Sequence, residues 1–83
     1  MKKSINSENN KTLIEILKRE RKLKGVNQEE FAKRLDKPQS FISKVETSQR
    51  VLDVIEFIKV LKKLEVNPIK VLEELLNNFI DED

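Results

Sequence analysis

Between Gln28 and Thr47 the chain reads QEEFAKRLDKPQSFISKVET, and no other stretch restricts its fold so tightly. Phe31 and Leu35 stand four apart, and Ile42 and Val45 three apart, so each pair lies on one face of a helix. Asp36-Lys37-Pro38 separates the pairs. Asp tolerates a left-handed turn conformation, and Pro suits the first position of a new helix. The pattern predicts two short helices joined by a sharp turn, the second over 38–46. Ala32 falls where the two would cross, and its small side chain lets them approach. The second helix turns Gln39, Ser40, Ser43 and Lys44 outward.

Composition supports helices throughout. The 83 residues include 1 Gly and 2 Pro, which fits helices joined by short turns and argues against β-structure. A chain of this length forms one domain with a modest core, so association with a second copy would add stability. There is no Cys and no His. Disulfides and thiolate metal sites are thereby excluded, along with the side chain best suited to proton transfer near neutral pH. The adjacent carboxylates Glu29/Glu30 and Glu73/Glu74 point about 100° apart on a helix and cannot share a site. No phosphate-binding glycine loop or nucleophile–base pair is present, so neither an enzyme nor a cofactor or metal is expected. Met1-Lys2-Lys3 is followed by SINSENN, without the apolar core of a signal peptide, and no apolar run nears the roughly 20 residues of a membrane span. A cytoplasmic location is the expectation.

Charge is unevenly distributed. Residues 1–50 hold 13 Lys/Arg against 7 Asp/Glu, a net of +6, whereas residues 51–83 hold 4 Lys against 8 Asp/Glu, a net of −4. The positive half contains the two-helix stretch and suits a polyanion, although a richly charged surface can equally serve solubility.

Along the chain, residues 1–11 are polar and aperiodic, and are read as a frayed or disordered arm. Lys2 and Lys3 could touch a polyanion from it. The folded domain spans 12–83. A first helix is expected to start at Thr12, with Glu15 completing a capping box, and to turn Leu13, Ile16, Leu17 and Leu23 inward. Gly25 is placed as its left-handed C-cap. Asn27 with Glu30, and Asp53 with Glu56, cap the second and fourth helices. Val54, Phe57, Ile58, Leu61 and Leu64 give the fourth a broad apolar face. Asn67-Pro68 opens a fifth helix over about 68–80. Its inner residues Ile69 and Leu72 are expected to close the core. Leu75, Leu76, Phe79 and Ile80 exceed what one small domain needs, and mark a dimer interface unless the helix folds back over its own domain.

A helix that is apolar inside, carries amides and hydroxyls outside, and is braced across a sharp turn suits a DNA major groove. Gln39 can pair with adenine N6 and N7; Ser40, Ser43 and Lys44 can reach a base edge or a phosphate. Gln28 falls in the first turn of its helix, where amides and dipole favour a phosphate. Phe41 sits off the apolar stripe and admits two readings, contact with a thymine methyl or packing against the turn and the next helix. Arg50, in the loop after the helix over 38–46, is read as a phosphate contact, with capping of that same helix as the alternative.

Arg21, Gly25, Gln28, Phe31, Ala32, Leu35, Gln39, Ser43, Val45, Glu46, Arg50 and the Leu61/Leu64 pair together resemble the XRE family, the Cro and phage-repressor type of helix-turn-helix, from about Leu13 to Leu72. The turn position often Gly in the family is Asp36, followed by Lys37, and the loop Glu46-Thr47-Ser48-Gln49-Arg50 also lacks Gly. The resemblance implies an all-α, lambda-repressor-like bundle of five helices. It implies double-stranded DNA as partner, with residues matching Gln28, Gln39, Ser40, Ser43 and Lys44 at the duplex. It further implies an ion pair between Arg21 and Glu46 that orients the second helix of the motif. The expected function is a sequence-specific transcriptional repressor, binding a palindromic operator as a homodimer with recognition helices about 34 Å apart. The alternative is an antitoxin or a restriction–modification controller whose last helix engages a protein partner.

Overall fold

The computed structural model describes residues 7–82, which form five helices: α1 (Glu8–Leu23), α2 (Gln28–Arg34), α3 (Gln39–Glu46), α4 (Val54–Lys63) and α5 (Pro68–Asn77). Lys2 and Lys3 of the expected arm lie outside the described residues. The fold is all-α, and α2 with α3 forms the helix-turn-helix.

Three caps fall where the sequence places them. The Asn27 side chain accepts the Glu30 N–H, and Asp53 with Glu56 forms a reciprocal capping box. Asn67 accepts the Ile69 N–H and is followed by Pro at the first helical position. Pro38 differs by one residue. It is the extended N-cap of α3 rather than its first helical residue, and offers no side-chain cap.

The start of α1 is a larger correction. Glu8–Lys11 form its first turn, and Ser7 is the N-cap, accepting the Asn10 N–H. Thr12 lies inside the helix, its hydroxyl donating to the Glu8 carbonyl. The physical reason is a contact from the far end of the chain. The two Glu82 carboxylate oxygens accept the N–H groups of Glu8 and Asn9 at 2.8 and 2.9 Å. Asn9 exchanges two further hydrogen bonds with the Ile80 backbone. Helix N-termini leave amides without internal partners, and here the acidic tail supplies them.

The ends of α1 to α4 share one solution. After α1, Gly25 (φ +70°) donates to the Lys22 carbonyl and Val26 to that of Arg21. This double closure is the Schellman motif, which needs a left-handed residue. Asp36 (φ 57°) repeats it after α2, Ser48 (φ 62°) after α3 and Glu65 (φ 60°) after α4, each with the two matching hydrogen bonds. The two departures from the resembling family, Asp36 and the glycine-free loop at Ser48, thus sit at left-handed positions and keep the turn.

Around these turns the core gathers Ile14, Ile16 and Leu17 of α1, Phe31 and Ala32 of α2, Ile42 and Val45 of α3, Val60 and Leu61 of α4 and Val71 of α5, with Val26 and Leu64 from the connections. Leu61 and Leu64 are wholly buried, at 0% exposure. Several residues depart from their expected faces. Leu23 is 73% exposed, and Ile14 takes an inward place in its stead. On α4, Val54 and Ile58 are exposed and Val60 is buried. On α5, Ile69 and Leu72 lie outside, at 64% and 45% exposure, whereas Val71 is buried and Leu75 packs against the core. On α1 Ile16 and Leu17 are buried as expected, as are Leu61 and Leu64 at the end of α4, whereas α5 is rotated about its axis relative to the reading from spacing. A helix apolar on more than one side has no unique inward face until its neighbours choose one.

An exposed ion pair links the first and last helices. Arg19 of α1 makes a two-pronged contact to Glu74 of α5 at 2.7 and 2.8 Å. These hydrogen bonds hold the Glu74 carboxyl below its ordinary value. A lowered folded-state value adds stability that is present above the unfolded value and lost as pH falls through the folded one. Water screening keeps it small at this exposed pair.

A left-handed residue with a Cβ is strained by about 1–2 kcal/mol, which glycine relieves at some cost in unfolded-state entropy. Glu65→Gly is therefore expected to raise stability by about 0.5–1 kcal/mol, and Gly25→Ala to lower it by about 1 kcal/mol. Urea denaturation of both variants checks this; equal midpoints for all three proteins would contradict it.

Candidate nucleic-acid interface

Helix α3 has two unlike sides. Ile42, Val45 and Glu46 are buried beneath it. Gln39, Ser40 and Lys44 are exposed, and Ser43 is half-buried beside them. Positions 39, 40, 43 and 44 repeat at helical spacing, so they line one outward strip. Thr47 extends it by one step. It is exposed, with its hydroxyl donating to the Ser43 carbonyl, and it accepts a hydrogen bond from the Gln49 amide. Neither Thr47 nor Gln49 was singled out from the sequence, though the four-residue step from Ser43 to Thr47 was a readable signal.

The strip is propped by α2 and the turn after it. Lys37 donates its N–H to the Ala32 carbonyl at 2.9 Å, closing the turn directly ahead of α3. Ala32 is buried between the helices, and a larger side chain there would push them apart.

Beneath the strip lies a charged pair. Arg21 Nε and Nη2 donate to Glu46 Oε2 and Oε1 at 2.7 and 2.9 Å. The remaining Arg21 prong, Nη1, donates to the Val26 carbonyl at 2.8 Å. Both side chains are less than a tenth exposed. Gln28 of α2 also donates its amide to Glu46 Oε1, at 2.9 Å. Gln39 in turn approaches Gln28 Oε1 through its amide nitrogen at 3.5 Å, the limit of a hydrogen bond. A chain of contacts thus runs from α1 through the pair to the exposed head of α3. The last link is weak enough for Gln39 to exchange it for another partner.

Two predicted site residues sit differently. Phe41 is half-buried and packs against the core. Lys37 Nζ and Arg50 Cζ lie 5.4 and 5.0 Å from its ring centroid. Arg50 also donates to Glu56, whose other oxygen accepts the Asp53 N–H. The structure therefore gathers Gln28, Gln39, Ser40, Ser43 and Lys44 around one face, with Phe41 and Arg50 at its edge. The only carboxylate on α3, Glu46, points inward and is neutralised, which leaves the outward face polar and cationic. No group of residues suited to a metal ion occurs among the described residues, and no helix there is long and apolar enough to cross a membrane.

Removing one member of a buried pair strands the other charge, at a cost of about 3–5 kcal/mol. Glu46→Ala should lower stability by about that amount. The double replacement Arg21→Met with Glu46→Leu should recover most of it. Urea denaturation of both checks this, and a double variant no better than the single one would contradict it.

The geometry can be set beside known proteins. The family model described as Helix-turn-helix, HTH_3, matches residues 17–71. An XRE-family-like protein from Pseudomonas syringae pv. tomato is similar in structure at a TM-score of 0.85, with 35% sequence identity, 93% of this chain and 94% of that chain covered. A point variant of the restriction–modification controller protein C.Esp1396I is similar at a TM-score of 0.78 and 27% identity, with 93% and 98% covered. No curated protein matches. The matched residues enclose α2, the turn, α3 and the whole buried Arg21–Glu46 pair, and on that ground the chain belongs to the XRE-type helix-turn-helix family.

Proposed function

We propose that the protein is a sequence-specific, DNA-binding transcriptional repressor acting in the cytoplasm. It places α3 in the major groove of a palindromic operator and performs no chemistry of its own. One observation carries the reading: the strip Gln39, Ser40, Ser43, Lys44 is open to solvent, while the opposite side of the same helix is anchored on the buried Arg21–Glu46 pair. Phosphate contacts supply most of the affinity, and Gln39 with its neighbours supplies the base preference.

The same reading makes the protein a homodimer through α5. Ile69, Leu72 and Leu76 of α5 follow one another at steps of three and four and are exposed, as are Phe79 and Ile80, which lie past the end of α5 at Asn77 rather than within it. Such a seam suits a second helix. Of the residues first assigned to this interface, Leu76, Phe79 and Ile80 remain available, whereas Leu75 is turned toward the core.

The second reading is a restriction–modification controller, favoured by the similarity to C.Esp1396I over nearly the whole chain. An antitoxin that masks a protein partner with α5 would use the same exposed seam.

Selection of bound sites from random DNA tests the proposal directly, and a palindromic consensus is expected. Gln39→Ala should cost about 1–3 kcal/mol and relax the preference at one base pair. An equal loss on every sequence would show that Gln39 reads no base. With about 6–10 phosphates contacted, affinity should fall about 10³–10⁵-fold between roughly 50 and 200 mM salt. Light scattering at micromolar concentration should report a dimer, and Leu76→Glu with Phe79→Glu a monomer. A wild-type monomer would overturn the dimer.

A further inference from the structure

Lys37, Phe41 and Arg50 come from three places: the turn before α3, its first turn, and the loop that follows it. Both cations lie within the roughly 6 Å over which an aromatic face attracts a positive charge. The ring is fixed by its packing against the core, yet both cationic side chains are exposed. Arg50 is tethered a second time by Glu56, which is itself locked in the capping box of α4. Lys37 has no carboxylate within ion-pair distance among the described residues. Long cationic side chains on a free surface sample many rotamers and lose that freedom when they grip a ligand. Here an aromatic ring settles them beforehand, at the edge of the strip that carries Gln39 and Ser40. A ring covered by cations and half sunk in the core has little apolar surface left for a thymine methyl.

We propose that Phe41 is a positioning residue that holds Lys37 and Arg50 as a preset pair of cations for the phosphate backbone beside the groove. The proposal rests on the DNA-binding reading above, and it adds Lys37 to the interface.

The test uses Lys37→Ala, Phe41→Leu and Phe41→Tyr on a DNA site selected by the wild-type protein, with affinities measured across a range of salt concentrations. Each neutralised phosphate contributes about 0.9 to the slope of log affinity against log salt, or about eightfold between 1 M and 0.1 M. Lys37→Ala should reduce the slope by about 1 per bound subunit. Phe41→Leu should reduce it by at least as much, evenly across sequences, while Phe41→Tyr restores it. Thermal melts separate lost folding from lost positioning in the Phe41 variants, and Lys37→Ala, on an exposed turn, decides the matter if Phe41→Leu does not fold. A wild-type slope in Lys37→Ala overturns the proposal. So does a Phe41→Leu variant whose slope is unchanged but whose base preference shifts. If Gln39→Ala weakens binding while Lys37→Ala and Phe41→Leu do not, the positioning role falls and the DNA-binding reading stands. If the wild type binds no DNA, both fall.

Discussion

The buried bond between Arg21 and Glu46 is the interaction on which the seating of α3 depends. It joins α1 to the last turn of α3, and a third prong of the same guanidinium ties down the Val26 carbonyl in the α1–α2 connection. Three segments therefore meet on one cation. A charge pair taken out of water gains little net stability over an apolar replacement, but it tolerates only one geometry. That directional demand, more than its energy, suits the rigid partner proposed for the outer side chains of α3. Gln28 adds a further donor to Glu46 and reaches Gln39, so the orientation set inside is passed to the surface.

The same need for fixed direction is met at the helix ends. Four helices close with a left-handed residue and two backbone hydrogen bonds, although only one of those residues is glycine. The backbone pattern, not the glycine, is what the fold requires. Asp36 and Ser48 accept the strain on either side of α3, and both have short polar side chains that lessen it. Glu65 carries the same strain without that relief, and the hydrogen bonds it completes to α4 hold it there.

The start of α1 and the segment after α5 brace each other. The Glu82 carboxylate closes the start of α1, Asn9 binds the backbone just past α5, and Arg19 grips Glu74. These contacts link α1 to α5 and to the residues just past it. With Val71 and Leu75 turned to the core, Ile69, Leu72, Leu76 and Phe79 are left outside.

The turn at Asp36, the caps at Asn27, Asp53 and Asn67, the glycine after α1 and the two sides of α3 were all legible in the residues, because each depends on partners within a few positions. The family pattern added the Arg21–Glu46 pair, which spacing alone does not reveal. What the sequence could not decide is the rotation of α5 about its own axis and the edges of the apolar faces of α1 and α4. Leu23, Ile58 and Ile69 are as apolar as Ile14, Val60 and Val71, and a local pattern has no means of ranking them. Only packing does so, since each helix turns to fill the space its neighbours leave. The first turn of α1 and the seating of Arg50 on Phe41 and Glu56 belong to the same class. They rest on groups far apart in the chain or on different elements, so the tertiary structure alone determined them.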